Sequence, residues 1–478
     1  MASTTIPSII AGQDVFDTDL IHPVYSHEDT NEVIHTFSYI QVSPDIINQL
    51  AENSKSGFKE WSNTPVSKKK EIFYKCLEIL REKKNEFIDT HKEIGGPDWF
   101  ANVNIDGAIA QLEEYIGNLS NSEGELFHSD HNQLALTVRL PIGPVLSIAP
   151  WNAPVILGAR SIFAPLAAGC SVIAKSPEKA PRAMYLLVKY LIEAGVPANV
   201  LQLVHLKPED NPKFLDALLA TGAIKKINFT GSTLIGKKIA STAAKYLVPC
   251  LLELGGKNVS IVCQDADITK AVGNIIWSAW THKGQICMST DRVFIHDTIY
   301  NDFKLKLIKV ASEMVQDPDY SIAHRDPLGA NKVKELLNDA LQKGASLVFG
   351  NPDDSELKRN NVVSPMILEG VTPEMKLNDT ESFGPIFAIE KFTDVNNVVD
   401  VVNESDFGLK ASIWSSNLMN AIDLAKRIEC GGVHINNSSI GDESHLPHGG
   451  VKASGSGRFN SKWGIDEFLF IKTITANP

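Results

Sequence analysis

Three polar residues stand where the surrounding sequence gives them a chemical task. Cys287 lies in Gly284-Gln285-Ile286-Cys287-Met288-Ser289-Thr290-Asp291-Arg292, after an apolar helix and before a strand, which puts it on a turn or loop, a usual address for a nucleophile. An unperturbed thiol is only about 3% thiolate at pH 7, so it needs a base or nearby donors to react; without them a buried cysteine is inert core. Glu253, in Leu252-Glu253-Leu254-Gly255-Gly256-Lys257-Asn258, is a carboxylate at an apolar strand end, costly there unless it has a partner or a task. Asn152 follows Pro150-Trp151 at the end of another apolar strand, where an amide serves as a cap or as a donor to a ligand lying beyond the sheet.

A further segment has the form of an anion site. Phe229-Thr230-Gly231-Ser232-Thr233-Leu234-Ile235-Gly236-Lys237-Lys238 reads as strand end, glycine turn and helix start. Free N–H groups and the dipole of a helix start favour a phosphate, although a plain βα connection would look the same. The G-x-G-x-x-G dinucleotide fingerprint is missing in this context. Gly231, Gly236 and Lys237 also fit G-x-x-x-x-G-K, but Lys238 stands where a P-loop needs the Ser or Thr that holds magnesium.

Elements able to position these residues follow from the hydrophobic pattern. Residues 43–120 read as amphipathic helices, with Ile72, Cys76, Ile79 and Leu80 at helical spacing. Strands are expected at 145–149, 171–175, 200–204, 226–230 and 249–254, alternating with helices, and this alternation implies a parallel, doubly wound sheet. A second alternating block has strands at 259–263, 292–296, 346–350, 386–392, 411–414 and 432–436. The extended segments 133–140 and 468–475 fall outside both blocks, and orphan strands of this kind often pair across subunits.

Composition bounds the function. The 478 residues, 43% hydrophobic and 21% charged, suffice for two or three globular domains. A net charge of −12 argues against nucleic acid as a partner, because such proteins concentrate Lys and Arg. Six scattered cysteines without a C-x-x-C pair suit neither a zinc site nor a disulfide scaffold, so no metal is expected. No Lys or Arg precedes Lys55, so a basic leader is not expected. The apolar stretch 140–174 is interrupted by Arg160 and five prolines from Pro141 to Pro165, too broken to span a membrane. A soluble, cytoplasmic protein is the expectation.

Taken together, Pro150-Trp151-Asn152, Phe229-Thr230-Gly231-Ser232, Glu253-Leu254-Gly255-Gly256-Lys257 and Gly284-Gln285-Ile286-Cys287 resemble, in this order, the segments of the aldehyde dehydrogenase superfamily. Glu381-Ser382-Phe383-Gly384-Pro385 and Pro447 through Gly455 extend the resemblance over most of the chain from about residue 40 onward. It implies a Rossmann-like NAD(P)-binding domain (1–122 and 142–254), a catalytic α/β domain (255–453) and a small β oligomerisation element (123–141 and 454–478). It further implies that Cys287 attacks the aldehyde, that Asn152 and a backbone N–H at Cys287 hold the oxyanion, and that Glu253 activates the water that hydrolyses the thioester. Trp151, Lys175, Glu178, Gly231, Ser232, Gly236, Glu381 and Phe383 would meet the cofactor, with Lys175 and Glu178 at the adenosine ribose. Ser176-Pro177 departs from the family's usual order there, in which proline or alanine precedes the serine. An acid at Glu178 favours NAD, with NADP left open. Some members carry an auxiliary acid just after the Gly-Arg near the C-terminus; Phe459 stands in that place, which leaves the base role to Glu253.

Segments 148–160 and 450–459 are most similar to the branch acting on aromatic aldehydes such as salicylaldehyde, vanillin and benzaldehyde. On this reading Arg160 meets a polar ring substituent, or makes a structural ion pair instead, while Leu157, Ile286 and Met288 supply an apolar wall. A short aliphatic aldehyde or semialdehyde is the alternative substrate, a catalytically silent structural homologue the alternative class. A homodimer or homotetramer is expected.

Overall fold

A computed structural model describes residues 5–477 apart from 28–29, 122–123, 131–132, 322–325 and 353–359. The boundary expected at 122 and 123 and the last residue, 478, lie outside the described residues.

Short apolar runs such as Val172-Ile173-Ala174 are buried on both faces, the pattern of a parallel strand covered by helices on each side. Val145, Val172, Leu201 and Leu203 enter one core, whereas Leu146, Ile173, Val204, Ile227 and Phe229 enter another, so the sheet separates two hydrophobic layers. Its eight strands run in the order Gly455–Ser456, Cys250–Glu253, Lys226–Thr230, Val145–Ile148, Val172–Lys175, Leu201–Val204, Ser8–Ile10 and Gln13–Val15. From Val145–Ile148 the chain winds one way through Val172–Lys175 and Leu201–Val204, then returns to the other side at Lys226–Thr230. The crevice at the carboxyl ends of the two strands flanking that reversal is where such sheets bind ligands.

The second sheet has seven strands, Ser346–Phe349, Met366–Glu369, Ile386–Phe392, Thr290–His296, Asn258–Val262, Lys410–Trp414 and Gly432–Ile435, all parallel to their neighbours except the first. It too divides two cores. The expected doubly wound α/β pair is therefore observed. Helices Pro44–Ser62, Val66–Glu82, Lys84–Lys92 and Asp98–Asn118 form the expected prelude, and Ile72, Cys76 and Leu80 are buried in a core shared with the first sheet.

The two orphan strands pair with each other inside one chain, Leu134–Pro141 against Leu469–Ala476 over eight residues, with Leu126–His128 on the far side. Short edge strands were not anticipated: Ser8–Ile10, Gln13–Val15 and Gly455–Ser456 have two or three residues each, too few to show a period. Among the described residues no helix is long and apolar enough to cross a membrane.

Candidate active site

The carboxyl ends of the first sheet face the amino ends of the second. Asn152 follows Val145–Ile148, Lys175 ends its strand, Gly231-Ser232 follows Lys226–Thr230, and Glu253 ends Cys250–Glu253. From the opposite side, the Cys287 loop leads into Thr290–His296, Glu381 through Phe383 lead toward Ile386–Phe392, and Leu409 precedes Lys410–Trp414. The chain crosses between the sheets at Gly255-Gly256, where space is tight: a Cβ on Gly256 would lie 2.7 Å from the Cys287 carbonyl oxygen, and one on Gly255 2.5 Å from the Glu381 carboxylate.

The nucleophile's loop is held through its backbone. After helix Ile268–Trp280, His282, Lys283 and Gly284 all take left-handed conformations, φ 49°, 59° and 72°. This costly turn persists only where surrounding structure enforces it. Asn152 Nδ2 donates to the Gln285 carbonyl at 2.8 Å, Asn258 Nδ2 donates to the Cys287 and Ser289 carbonyls at 2.7 and 2.9 Å, and the Ser439 hydroxyl donates to the Met288 carbonyl at 2.7 Å. An amide nitrogen carries two N–H groups, so Asn152 keeps a second donor beyond its anchoring bond. Sequence reasoning did not single out Asn258 and Ser439: their work is done on backbone oxygens that folding brings to them.

Burial raises the Cys287 thiol well above its ordinary range, and the negative charge of Glu253 raises it further. The resting group is thus a thiol, and its activation has to come from a base. Glu253 is 1% exposed, with neither carboxylate oxygen in an ordinary-length hydrogen bond. Burial pushes its carboxyl up, but His448 and Arg160 more than offset this and hold it below the usual value. His448 Nε2 lies 3.7 Å from Oε1, and Arg160 Nη2 3.8 Å from Oε2.

Arg160 makes an ion pair: its Nη1 donates to Asp442 at 2.8 Å, and its guanidinium stacks 4.6 Å from the centre of the Phe459 ring. The buried arginine therefore stands beside Glu253. Ile286 and Met288 do pack with Cys287, in a cluster that also holds Phe100, Leu409, Trp99 and Ile440. Leu157 is buried on helix Pro154–Ala168, outside that cluster. Trp99 and Phe100 were missed because they enter from the distant helix Asp98–Asn118, and Asp442 and His448 because nothing in their spacing marks a pair.

The residues expected at a dinucleotide line the first sheet's end. Lys175 and Glu178 form a pair at 3.7 Å. Ser232 caps helix Thr233–Ala244 by accepting from the Ile235 N–H, and Leu234 and Ile235 leave the helix start open, 64% and 43% exposed. Gly231 has no room for a Cβ, which would meet the Phe229 ring at 2.5 Å. The Gly236 N–H donates to the Ser232 carbonyl at 2.9 Å, and a Cβ there would strike Leu254 at 2.5 Å, so this glycine packs the helix closely against the sheet. Trp151 meets Phe383 edge-on at 6.4 Å with Lys179 over its ring. Glu381 accepts from the Gly256 N–H at 3.1 Å, and burial pushes its carboxyl up to about 7. An open helix start at a glycine turn, with a Lys–Glu pair two strands away, fits an extended dinucleotide. Lys237 is exposed on the helix, unlike a P-loop lysine. Among the described residues no three His, Cys, Asp or Glu side chains gather as a metal site.

A thiol and a buried carboxylate brought together at the end of a dinucleotide-type sheet fit an oxidoreductase. The sequence profile of the aldehyde dehydrogenase family matches residues 18–474. The salicylaldehyde dehydrogenase of Pseudomonas putida is 34% identical over 466 residues, covering 96% of this chain and 94% of that one. The benzaldehyde dehydrogenase [NAD(+)] of Pseudomonas putida is 35% identical over 428 residues, covering 87% and 85%. A solved salicylaldehyde dehydrogenase from Pseudomonas putida G7, complexed with salicylaldehyde, superposes with a TM-score of 0.93 at 31% identity, covering 99% and 98%. The chain belongs to the aldehyde dehydrogenase family; it is an aldehyde-oxidising enzyme whose cofactor is a nicotinamide dinucleotide.

Proposed function

We propose that this enzyme oxidises an aromatic aldehyde to its carboxylic acid, with NAD as the preferred acceptor. The observation that carries the substrate class is the wall around Cys287: Trp99, Phe100, Ile286, Met288, Leu409 and Ile440 offer flat and apolar surface to a ring. The names of the salicylaldehyde and benzaldehyde dehydrogenases it resembles agree with this.

In the proposed reaction Glu253 takes the Cys287 proton as sulfur bonds to the carbonyl carbon. The oxyanion is held by the second N–H of Asn152 and the Cys287 backbone N–H, a kind of donor whose loss costs about two to three orders of magnitude in rate. The dinucleotide, when bound, supplies the hydride acceptor. Glu253 then accepts a proton from the water that attacks the thioester, a contribution of roughly 10²- to 10⁴-fold. Lys175 and Glu178 would hold the adenosine ribose, the latter disfavouring a 2′-phosphate, with Gly231 and Ser232 at the pyrophosphate and Trp151, Glu381 and Phe383 at the nicotinamide end. The cofactor domain would comprise 1–122 and 142–254, the catalytic domain 255–453. The exposed Ile471 and Ile474 of the three-stranded sheet support its role as an oligomerisation element of a homo-oligomer, and the cytoplasm is the proposed location.

NADH formation from salicylaldehyde, benzaldehyde, short aliphatic aldehydes and a semialdehyde, with NAD or NADP and a Cys287→Ala control, tests this. Turnover led by the aromatic substrates and absent from the control is expected. Higher kcat/KM on the aliphatic or semialdehyde substrates would overturn the substrate class.

A further inference from the structure

The proposed chemistry leaves one proton to be removed. When sulfur attacks, the S–H proton passes to Glu253 and the carbonyl electron pair to oxygen; loss of hydride then restores the C=O as a thioester. Glu253 is now neutral and cannot receive a proton from water. In the second half-reaction the proton taken from water returns to the departing Cys287 sulfur, so a single proton per turnover must leave Glu253 between the two halves.

Its direct exchange with bulk solvent is hindered, because only 1% of the residue is exposed. Among the described residues, the cationic or imidazole side chains within 4 Å of its carboxylate are Arg160 and His448. Arginine has no acceptor and does not deprotonate in proteins. Imidazole accepts at one nitrogen and donates from the other. His448 is itself 2% exposed, and neither of its ring nitrogens has a hydrogen-bond partner. They face two different acids, Nε2 toward Glu253 at 3.7 Å and Nδ1 toward Asp442 at 3.6 Å. The ring's backbone is fixed by paired bonds with Phe459, at 3.2 and 2.7 Å. The Asp442 side chain is 12% exposed and is held by Arg160 at 2.8 Å and Asn460 Nδ2 at 2.6 Å. The gaps at His448 exceed a hydrogen bond by less than an ångström, and contacts of this kind tighten in the loaded enzyme.

We infer that His448 and Asp442 form the outlet by which Glu253 sheds its proton: the O–H bond of Glu253 breaks as Nε2 is protonated, Nδ1 gives up its proton to Asp442 and thence to solvent, and proton exchange restores the Nδ1–H tautomer before the next turnover. This rests on Glu253 being the base. His448 and Asp442 are positioning residues that act through Glu253, and the other groups that share their charge environment include Arg160, Lys410, His434, Glu443 and Tyr115. Phe459 stacks a hydrocarbon ring on Arg160, 4.6 Å from its guanidinium, and offers the cluster no further proton acceptor.

Stopped-flow NADH formation in wild type, His448→Gln, Asp442→Asn and Glu253→Gln tests the outlet. In His448→Gln the first equivalent of NADH is expected close to the wild-type rate, with later turnovers about 10- to 100-fold slower. Turnover of His448→Ala should recover with added imidazole, and the pH dependence of kcat should flatten. Asp442→Asn, nearly isosteric, carries the same expectation if the histidine variants fold poorly. Wild-type steady turnover and pH profile in both His448→Gln and Asp442→Asn would overturn the outlet, as would equal slowing of both phases without imidazole recovery. Unimpaired turnover in Glu253→Gln would instead overturn the reading on which it rests.

Discussion

Replacing Asn258 by alanine is expected to lower kcat/KM about 30-fold without touching a group that reacts. Asn258 is 2% exposed and makes three hydrogen bonds, donating to the Cys287 and Ser289 carbonyls and accepting from the Lys410 N–H at 3.0 Å. At about 1 kcal/mol net for each bond, its loss removes about 3 kcal/mol of restraint. Two of the three bonds act on the Cys287 loop, and their roughly 2 kcal/mol corresponds to about 30-fold in rate. Asn258→Asp should do no better, since a carboxylate would face two carbonyl oxygens. The assay is kcat/KM on the best aldehyde, alongside the rate at which iodoacetamide alkylates Cys287. A kcat/KM and an alkylation rate within threefold of wild type in Asn258→Ala would refute the argument that this side chain aims the sulfur.

Arg160→Ala removes the partner of buried Asp442 and a neighbour of Glu253; a loss of about 3–5 kcal/mol in chemical denaturation is expected, with turnover falling alike on salicylaldehyde and benzaldehyde. A changed ratio between the two substrates at unchanged stability would place the guanidinium on the ring substituent after all. Glu381, pushed up to about 7 by burial, holds its proton more tightly folded than unfolded. Its contribution to stability is therefore fully present below the unfolded value near 4.5 and is lost as pH rises through about 7. Urea titrations at pH 5 and pH 8 should differ less in Glu381→Gln than in wild type. Ile471 and Ile474, 67% and 42% exposed on the isolated chain, become lysines in a double variant that should sediment as a 52 kDa particle while wild type is larger.

Much of this was legible before the structure. The apolar runs and their alternation specified both sheets, because strands buried on two faces must be continuously apolar. The segments bearing Asn152, Glu253 and Cys287 marked themselves as polar residues at strand ends or on a loop between regular elements. What stayed hidden depends on tertiary contact. That Gly236 packs against Leu254 could not be read from the phosphate-turn pattern in which it lies. Arg160 sits two turns beyond Asn152, but its partner Asp442 comes from the other sheet's side of the chain, and no local pattern links them. His448 and Asp442 are six positions apart on irregular backbone, where spacing predicts nothing about facing. Trp99 and Phe100 read simply as the apolar side of a helix.

The pairing of Gly455–Ser456 with Cys250–Glu253 bears on how the enzyme is made. Glu253 stands in register with Gly455, the Leu254 N–H donates to the Ser454 carbonyl at 3.0 Å, and the Ser454 hydroxyl donates to the Gly255 carbonyl at 2.7 Å. The strand that carries Glu253 thus lacks this neighbour until residues 455 and 456 have been made. At about 5–20 residues per second, Cys287 is synthesised roughly 8–34 s before them. A nascent chain carrying Cys287 would hold its thiol beside an unfinished edge, so chains truncated before residue 455 should accumulate as inactive thiols rather than as slow enzymes.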